Sequence, residues 1–209
     1  MKFYSDGLTE IQMQVLQEIA PFASQRRFYL GGGTALAIFL RHRRSIDLDW
    51  FTQERLLDPM IFAQSLRDSG IPFSTGQTAP GTLHGQVKGV RLSFLEFRYP
   101  LIAPLVDWEE TGALLASLDD LACMKLSAIA QRGSKKDFFD VYALCIQHRP
   151  LQQLLDLYQI KFNVTDIGPV LYGLVYFDDA EEEPDPLLLQ HIQWHDVKQA
   201  FRNWVKAVS

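Results

Sequence analysis

The chain has 209 residues, a formal net charge of −5, 47% apolar side chains and 12% aromatics; that suits one domain, or one with a helical appendage, around a sizeable core. The acidic balance excludes a wholesale basic nucleic-acid binder, although not a local basic strip. No apolar run reaches the roughly 18 residues that span a bilayer, "MKFYSDGLTE" lacks a signal-peptide stretch, and Cys123 and Cys145 sit in apolar surroundings, so a cytoplasmic protein with two buried thiols and no membrane partner is expected.

In chain order, Leu8, Ile11, Val15, Ile19 and Phe22 recur at spacings of three and four, which predicts an amphipathic helix over 8–22. "RFYLGGG" reads as a short buried strand ending at glycines, with a helix from about Thr34 to Arg41 behind it. "SIDLDWF" alternates and carries β-branched and aromatic residues, as a second strand would. A helix over about 58–69 closes at Gly70 and Pro72, and 71–99 reads as antiparallel β punctuated by glycines and Pro80. From Leu114 onward helices dominate, over "SLDDLACMKLSAIAQR", "SKKDFFDVYALCIQH" and "LQQLLDLYQIKF". Residues 178–186, "DDAEEEPDP", read as a solvated acidic loop, and 187–208 as a last helix or pair. The expected fold is α+β: a small mixed β-sheet with flanking helices over 1–105, followed by a helical region over 106–209.

The segment that carries chemistry is "FYLGGGTALAIFLRHRRSIDLDWFT", residues 28–52. On a strand, residues two apart share a face, so Asp47 and Asp49 fall on one side and Ile46, Leu48 and Trp50 on the other. Two carboxylates on a buried-looking strand are costly unless they meet cations or water. Mg²⁺ already carrying phosphate oxygens is the economical partner, and two such ions roughly 3.5–4 Å apart clamp an in-line phosphoryl transfer. Gly31, Gly32, Gly33 and Thr34, ending a strand and opening a helix, would present N–H groups and a hydroxyl to an anion. Arg41, Arg43 and Arg44 could neutralise further phosphate charge. Two commoner glycine motifs do not fit. A dinucleotide fingerprint needs a glycine where Leu36 stands, and a Walker A loop needs a lysine between Phe28 and Thr52. Each part alone has a plainer reading: glycines as turn geometry, D-x-D as solvated surface, arginines paired to the aspartates.

Taken together, Gly33-Thr34, twelve residues and Asp47-Leu48-Asp49 resemble the signature of the polymerase-β-like nucleotidyltransferase superfamily. The string "GGTAL…HRRSIDLDWF", with His42, Arg43, Ser45, Asp47, Asp49 and Phe51 in register, is similar to one branch, the AbiEii-type nucleotidyltransferases, toxins of abortive-infection toxin–antitoxin pairs. Thr34 stands where the superfamily usually has serine. The resemblance implies a nucleotidyltransferase fold and a third metal-binding acid on a neighbouring strand. Glu96 is the residue available, on a face otherwise made of Val90, Leu92 and Phe94; pairing with Arg91 or Arg98 is its alternative.

A second match lies in "KLSAIAQRGSKKDFFDVYAL", where Lys125, Arg132, Lys136, Asp137 and Asp140 occupy the branch's lysine, arginine, Lys-Asp and Asp places. Lys125 and Arg132, seven apart, share a helix face. Ser134 to Asp137 also reads as a plain capping box. The resemblance implies Lys125 as a triphosphate contact and Asp137 and Asp140 as orienting or base-like groups. Expected catalytic residues are then Asp47, Asp49, Glu96, Lys125, Asp137 and Asp140, with Asp47, Asp49 and Glu96 holding Mg²⁺ or Mn²⁺. Gly32, Gly33, Thr34, Arg43, Ser45, Arg132 and Lys136 are the expected phosphate contacts, and Arg41, Arg43, Arg44, Lys135 and Lys136 a basic strip. The implied partners are an NTP, an RNA acceptor and a cognate antitoxin. The alternatives are a nucleotide-binding module without catalysis and a protein-interaction module. His191 and His195, four apart, lack a third zinc ligand, and His84 suggests no role.

Overall fold

The structure, a computed structural model, describes residues 2–208. Helix α1 (Glu10–Gln25) opens with a capping box between Thr9 and Gln12. Strand β1 (Tyr29–Leu30) runs into α2 (Gly32–Leu40), whose residues from Gly33 onward are all buried; a helix apolar all round belongs inside the core. Arg41 ends it in the left-handed conformation, and β2 (Leu48–Thr52), α3 (Pro59–Asp68), β3 (Ser74–Ala79), β4 (Thr82–Val87) and β5 (Val90–Glu96) follow. Then come β6 (Val106–Trp108), β7 (Ala113–Leu115), α4 (Leu118–Gln131), α5 (Lys135–Gln147), α6 (Leu151–Phe162), α7 (Gly168–Val175), α8 (Asp178–Glu181) and α9 (Trp194–Val208).

One mixed seven-stranded sheet has the order β3-β4-β5-β2-β1-β7-β6. β1 pairs antiparallel with β2 and parallel with β7, while β2 pairs parallel with β5. The mixed sheet with flanking helices is as the sequence predicts. Sheet strands lie on both sides of residue 105, since β6 and β7 add to the edge beyond β1. Two expectations need correction. Strand β2 starts at Leu48, so Ile46 sits in the lead-in loop and is 63% exposed instead of joining Leu48 and Trp50 in the core. Part of the acidic loop is the short helix α8. The Trp194, Val197, Phe201, Trp204 face of α9 packs inward as its spacing predicts; His191 precedes that helix.

Helix α4 is the hub of the helical part, packed by α5, α6, α7 and α2. Its first turn is pinned by Asp120, which accepts from the Ile102 N–H and from fully buried Lys161 (2.9 and 2.7 Å). Gln12 of α1 donates to the Ser45 and Ile46 carbonyls (2.8 and 2.7 Å), fixing the loop that leads into β2. Cys123 and Cys145 are free thiols, the first buried and the second half-buried. No helix among the described residues is long and apolar enough to cross a membrane.

Candidate active site

A cavity of about 820 Å³ opens where the sheet meets α4. Its floor is one face of β2, β5 and β4. Asp49 is the register partner of Ser93 and Phe51 of Leu95, and Ser93 is in turn the partner of His84; side chains paired in this way share a sheet face. Met124, Lys125 and Arg132 of the α4 region form the opposite wall, and the start of α2 closes one end. Residues 183–187 close another side. They are carried there by an antiparallel bridge between Arg43 and Leu188 and by the Arg44 N–H donating to the Leu187 carbonyl (2.7 Å).

The glycines are required by close approach. Gly32 has φ +60°, and a Cβ there would stand 2.8 Å from Asp49 Oδ2; a Cβ on Gly33 would overlap the Arg43 guanidinium. At Gly32 only glycine admits both the left-handed backbone and the contact. The first N–H groups of α2 have no intrahelical acceptor and lie beside Asp49, where a bound anion would meet both them and the helix dipole. The Thr34 hydroxyl is not part of this: it donates to the Asp47 carbonyl and lies 2.7 Å from Ser45 Oγ, with the residue 1% exposed. It ties α2 to the D-x-D segment and does not line the cavity.

Asp47 and Asp49 both face the cavity. Asp47 is paired with Arg91 (2.7 Å). The Asp49 carboxylate makes no hydrogen bond or close ion pair among the described residues, and its charge acts on Arg132 across the cavity. Glu96 is on the wrong face. It is the register partner of Thr52, accepts from the Leu56 N–H (3.1 Å) and lies 3.8 Å from Arg98. Alternation along β2 and β5 sends it away from Asp47 and Asp49, so Ser93 holds the position beside Asp49 where a third carboxylate was expected.

Behind the α4 wall lies a buried ion network. Asp140 accepts from His42 Nε2 (2.6 Å), from Arg43 through two nitrogens (2.6 and 2.8 Å) and from Lys125 (2.7 Å). Asp137 accepts from Lys125 (2.7 Å) and Arg132 (3.0 Å). The Ser134 side chain makes no capping bond, so Asp137 serves these cations and not a capping box. Burial opposes ionisation of Asp140, but Arg43 and Lys125 hold it well below the usual carboxylate range. Burial likewise opposes the charge on Asp137, which Lys125 and Arg132 nonetheless keep below its ordinary value. Burial pulls the Lys125 ammonium down; Asp140 and Asp137 more than offset this and raise it. Burial dominates at His42 and lowers it despite Asp140, so the ring is neutral, with Nε2–H donating and a buried Nδ1 that has no partner among the described residues.

The expected residues therefore sort into three groups. Gly32, Gly33, Arg43, Ser45, Asp47, Asp49, Lys125, Arg132 and Lys136 line one cavity. Thr34, Asp137 and Asp140 lie behind it as supports, and the cations on the two acids favour the orienting role over the base-like one. Glu96 lies apart. Arg43, expected on phosphate, is spent on Asp140, and Arg41 pairs with Asp6. Lys135 is buried and tied to the Glu183 carbonyl and Asp185; Arg44, at the cavity edge, is the arginine of that run left for an anion. Sequence reasoning missed His84, Ser93, Arg91, Met124 and 183–187. Alternation with Asp49 would have found Ser93 had the β2–β5 register been known.

The sequence profile described as "Nucleotidyl transferase AbiEii toxin, Type IV TA system" matches residues 89–204, from β5 through most of α9. A protein of Aquifex aeolicus, aq_aa25, is 36% identical over 203 residues, covering 95% of this chain and 96% of that one. The fold is similar to that of MenT4, a nucleotidyltransferase toxin of Mycobacterium tuberculosis, with TM-score 0.64 at 13% identity over 95% of this chain and 82% of that one. JHP933 from Helicobacter pylori gives TM-score 0.55 at 17% identity over 99% and 93%. The chain belongs to the AbiEii family of nucleotidyltransferase toxins of type IV toxin–antitoxin systems.

Proposed function

We propose that the protein transfers a nucleotide from an NTP to a hydroxyl of RNA and is the toxin that a cognate antitoxin protein restrains. The observation that carries the reading is the gathering, on one cavity, of a glycine-opened helix start, the Asp49 carboxylate and the cations Lys125 and Arg132. In this reading residues 1–105 hold the nucleotide and 106–209 complete the site. The triphosphate lies against the N–H groups at the start of α2, Ser45, Lys125, Arg132 and Lys136. Lys125 meets it as a permanent cation, since its two buried carboxylates keep it protonated. Asp137 and Asp140 orient Lys125, Arg132 and Arg43. Phe51, Leu95, Phe97 and Met124 give the cavity an apolar part that excludes water from the base and sugar.

Asp47 and Asp49 offer the hard oxygens that hold Mg²⁺ or Mn²⁺ together with nucleotide phosphates. They fit an ion that arrives with the NTP; no group of three or more His, Cys, Asp or Glu among the described residues would hold one alone. When bound, such an ion neutralises triphosphate charge.

Incubation with each α-labelled NTP and total RNA tests the reading. Wild type should label RNA from at least one NTP, and Asp49→Ala should label it more than about 100-fold less; equal labelling by both would overturn it. The place of Glu96 favours one second reading, a nucleotide-binding module without catalysis, which NTP binding without transfer would select.

A further inference from the structure

We propose that His84 is the proton acceptor for the incoming hydroxyl, with Ser93 as its positioning residue. The inference rests on the nucleotidyl-transfer reading above. An acceptor hydroxyl must lose its proton as its oxygen bonds to the α-phosphorus, and the carboxylates of the cavity do not serve. Asp137 and Asp140 are saturated by cations, Glu96 faces away, and Asp47 holds Arg91. Asp49 is committed to the nucleotide side. Glu183 and Asp185 are engaged with Lys135.

His84 is the histidine on the cavity floor. It is half-buried, and its Nδ1 lies 3.1 Å from Ser93 Oγ. With Nδ1–H donating to Ser93, Nε2 carries the lone pair. Histidine is the side chain whose ordinary pKa makes it a base near neutrality. The strand order places β4 two strands from β2, on the side away from β1 and its glycine turn. At roughly 4.8 Å per strand, the backbones of His84 and Asp49 stand about 10 Å apart, which leaves room for the α-phosphorus and the attacking oxygen between the two side chains. The triphosphate then lies on the glycine side and the acceptor on the His84 side, an in-line disposition.

In the step, the acceptor O–H proton passes to Nε2 and the acceptor oxygen bonds to the α-phosphorus. The bond from that phosphorus to the bridging oxygen breaks, and pyrophosphate leaves with the electron pair against Lys125 and Arg132. The imidazolium returns its proton to solvent. The charged groups that share the cavity with His84 are Arg91 from β5, Asp47 and Asp49 at β2, Arg43 and Arg44 from the loop before it, Lys125 and Arg132 from the α4 wall, Lys136, and Glu183 and Asp185; β3, its other neighbour, carries no titratable side chain.

The test uses the full chain, α-labelled NTPs and total RNA from about pH 5.5 to 9, with NTP–Mg²⁺ affinity measured by calorimetry. His84→Gln and His84→Ala should bind NTP within about twofold of wild type and lose about 10²–10⁴-fold in transfer. Added imidazole should restore part of the rate to His84→Ala. The wild-type pH–rate profile should carry an acid limb that His84→Gln lacks. Ser93→Ala should displace the limb and lower kcat with KM for NTP unchanged. Transfer by His84→Gln within about threefold of wild type would refute the role of His84 and leave the reading of the cavity standing. Wild type that binds NTP and transfers nothing would refute that reading, and the role of His84 with it.

Discussion

Replacing Asp140 by asparagine keeps its shape and removes its charge. Four hydrogen bonds of 2.6–2.8 Å converge on it from His42, Arg43 and Lys125, and none of these partners is more than 7% exposed. The substitution leaves a guanidinium and an ammonium buried, with Asp137 as their remaining anion. Breaking a buried pair from one side costs about 3–5 kcal/mol. At about 2–4 °C per kcal/mol for a chain of this size, the Tm should fall by roughly 6–20 °C. Circular dichroism melting at neutral pH measures it, and the gap should narrow in acid. Asp140 has a folded pKa well below its unfolded one, so its contribution is complete above about pH 4 and is lost as pH falls toward the folded value. A variant melting within about 2 °C of wild type at neutral pH would refute the account of the network.

Glu96→Gln should retain transfer within about threefold, measured as RNA labelling, because the side chain lies across the sheet from Asp49; a hundredfold loss would return it to the site. Gly32→Ala should lower labelling at least tenfold, since its Cβ would press on Asp49 and a left-handed residue with a Cβ costs about 1–2 kcal/mol. His42 has its pKa lowered by burial, so the unfolded chain binds the proton better and stability should decline below about pH 6.5. His42→Gln, which can keep a donor for Asp140, should flatten that decline in denaturant midpoints; an unchanged slope would contradict it.

Local spacing made much of this legible. The glycines, Asp47 and Asp49 are close in sequence, and the Lys125–Arg132 and Asp137–Asp140 spacings set their faces within single helices, so these groups meet as read. Alternation also placed Glu96 with Val90, Leu92 and Phe94. Those residues are core, as Leu48 and Trp50 are, which already separates Glu96 from the two aspartates; its assignment as a ligand came from resemblance and not from the strand. Thr34 and Lys135 were misplaced because their partners, Asp47 and Asp185, were set by tertiary contacts that composition does not encode; Arg43 lines the cavity as expected, but its bonds to Asp140 were hidden for the same reason. For the same reason "EPDPL" reads as solvated chain. Nothing local announces that Leu188 bridges Arg43 and brings 183–187 onto the cavity.

The Arg43–Asp140 clamp also bears on how the protein turns over. It joins the loop after α2 to α5, so the walls of the cavity cannot swing apart like a hinge without exposing a buried guanidinium and its carboxylate. In the proposed reaction, NTP binding should then involve no large closure of one half upon the other.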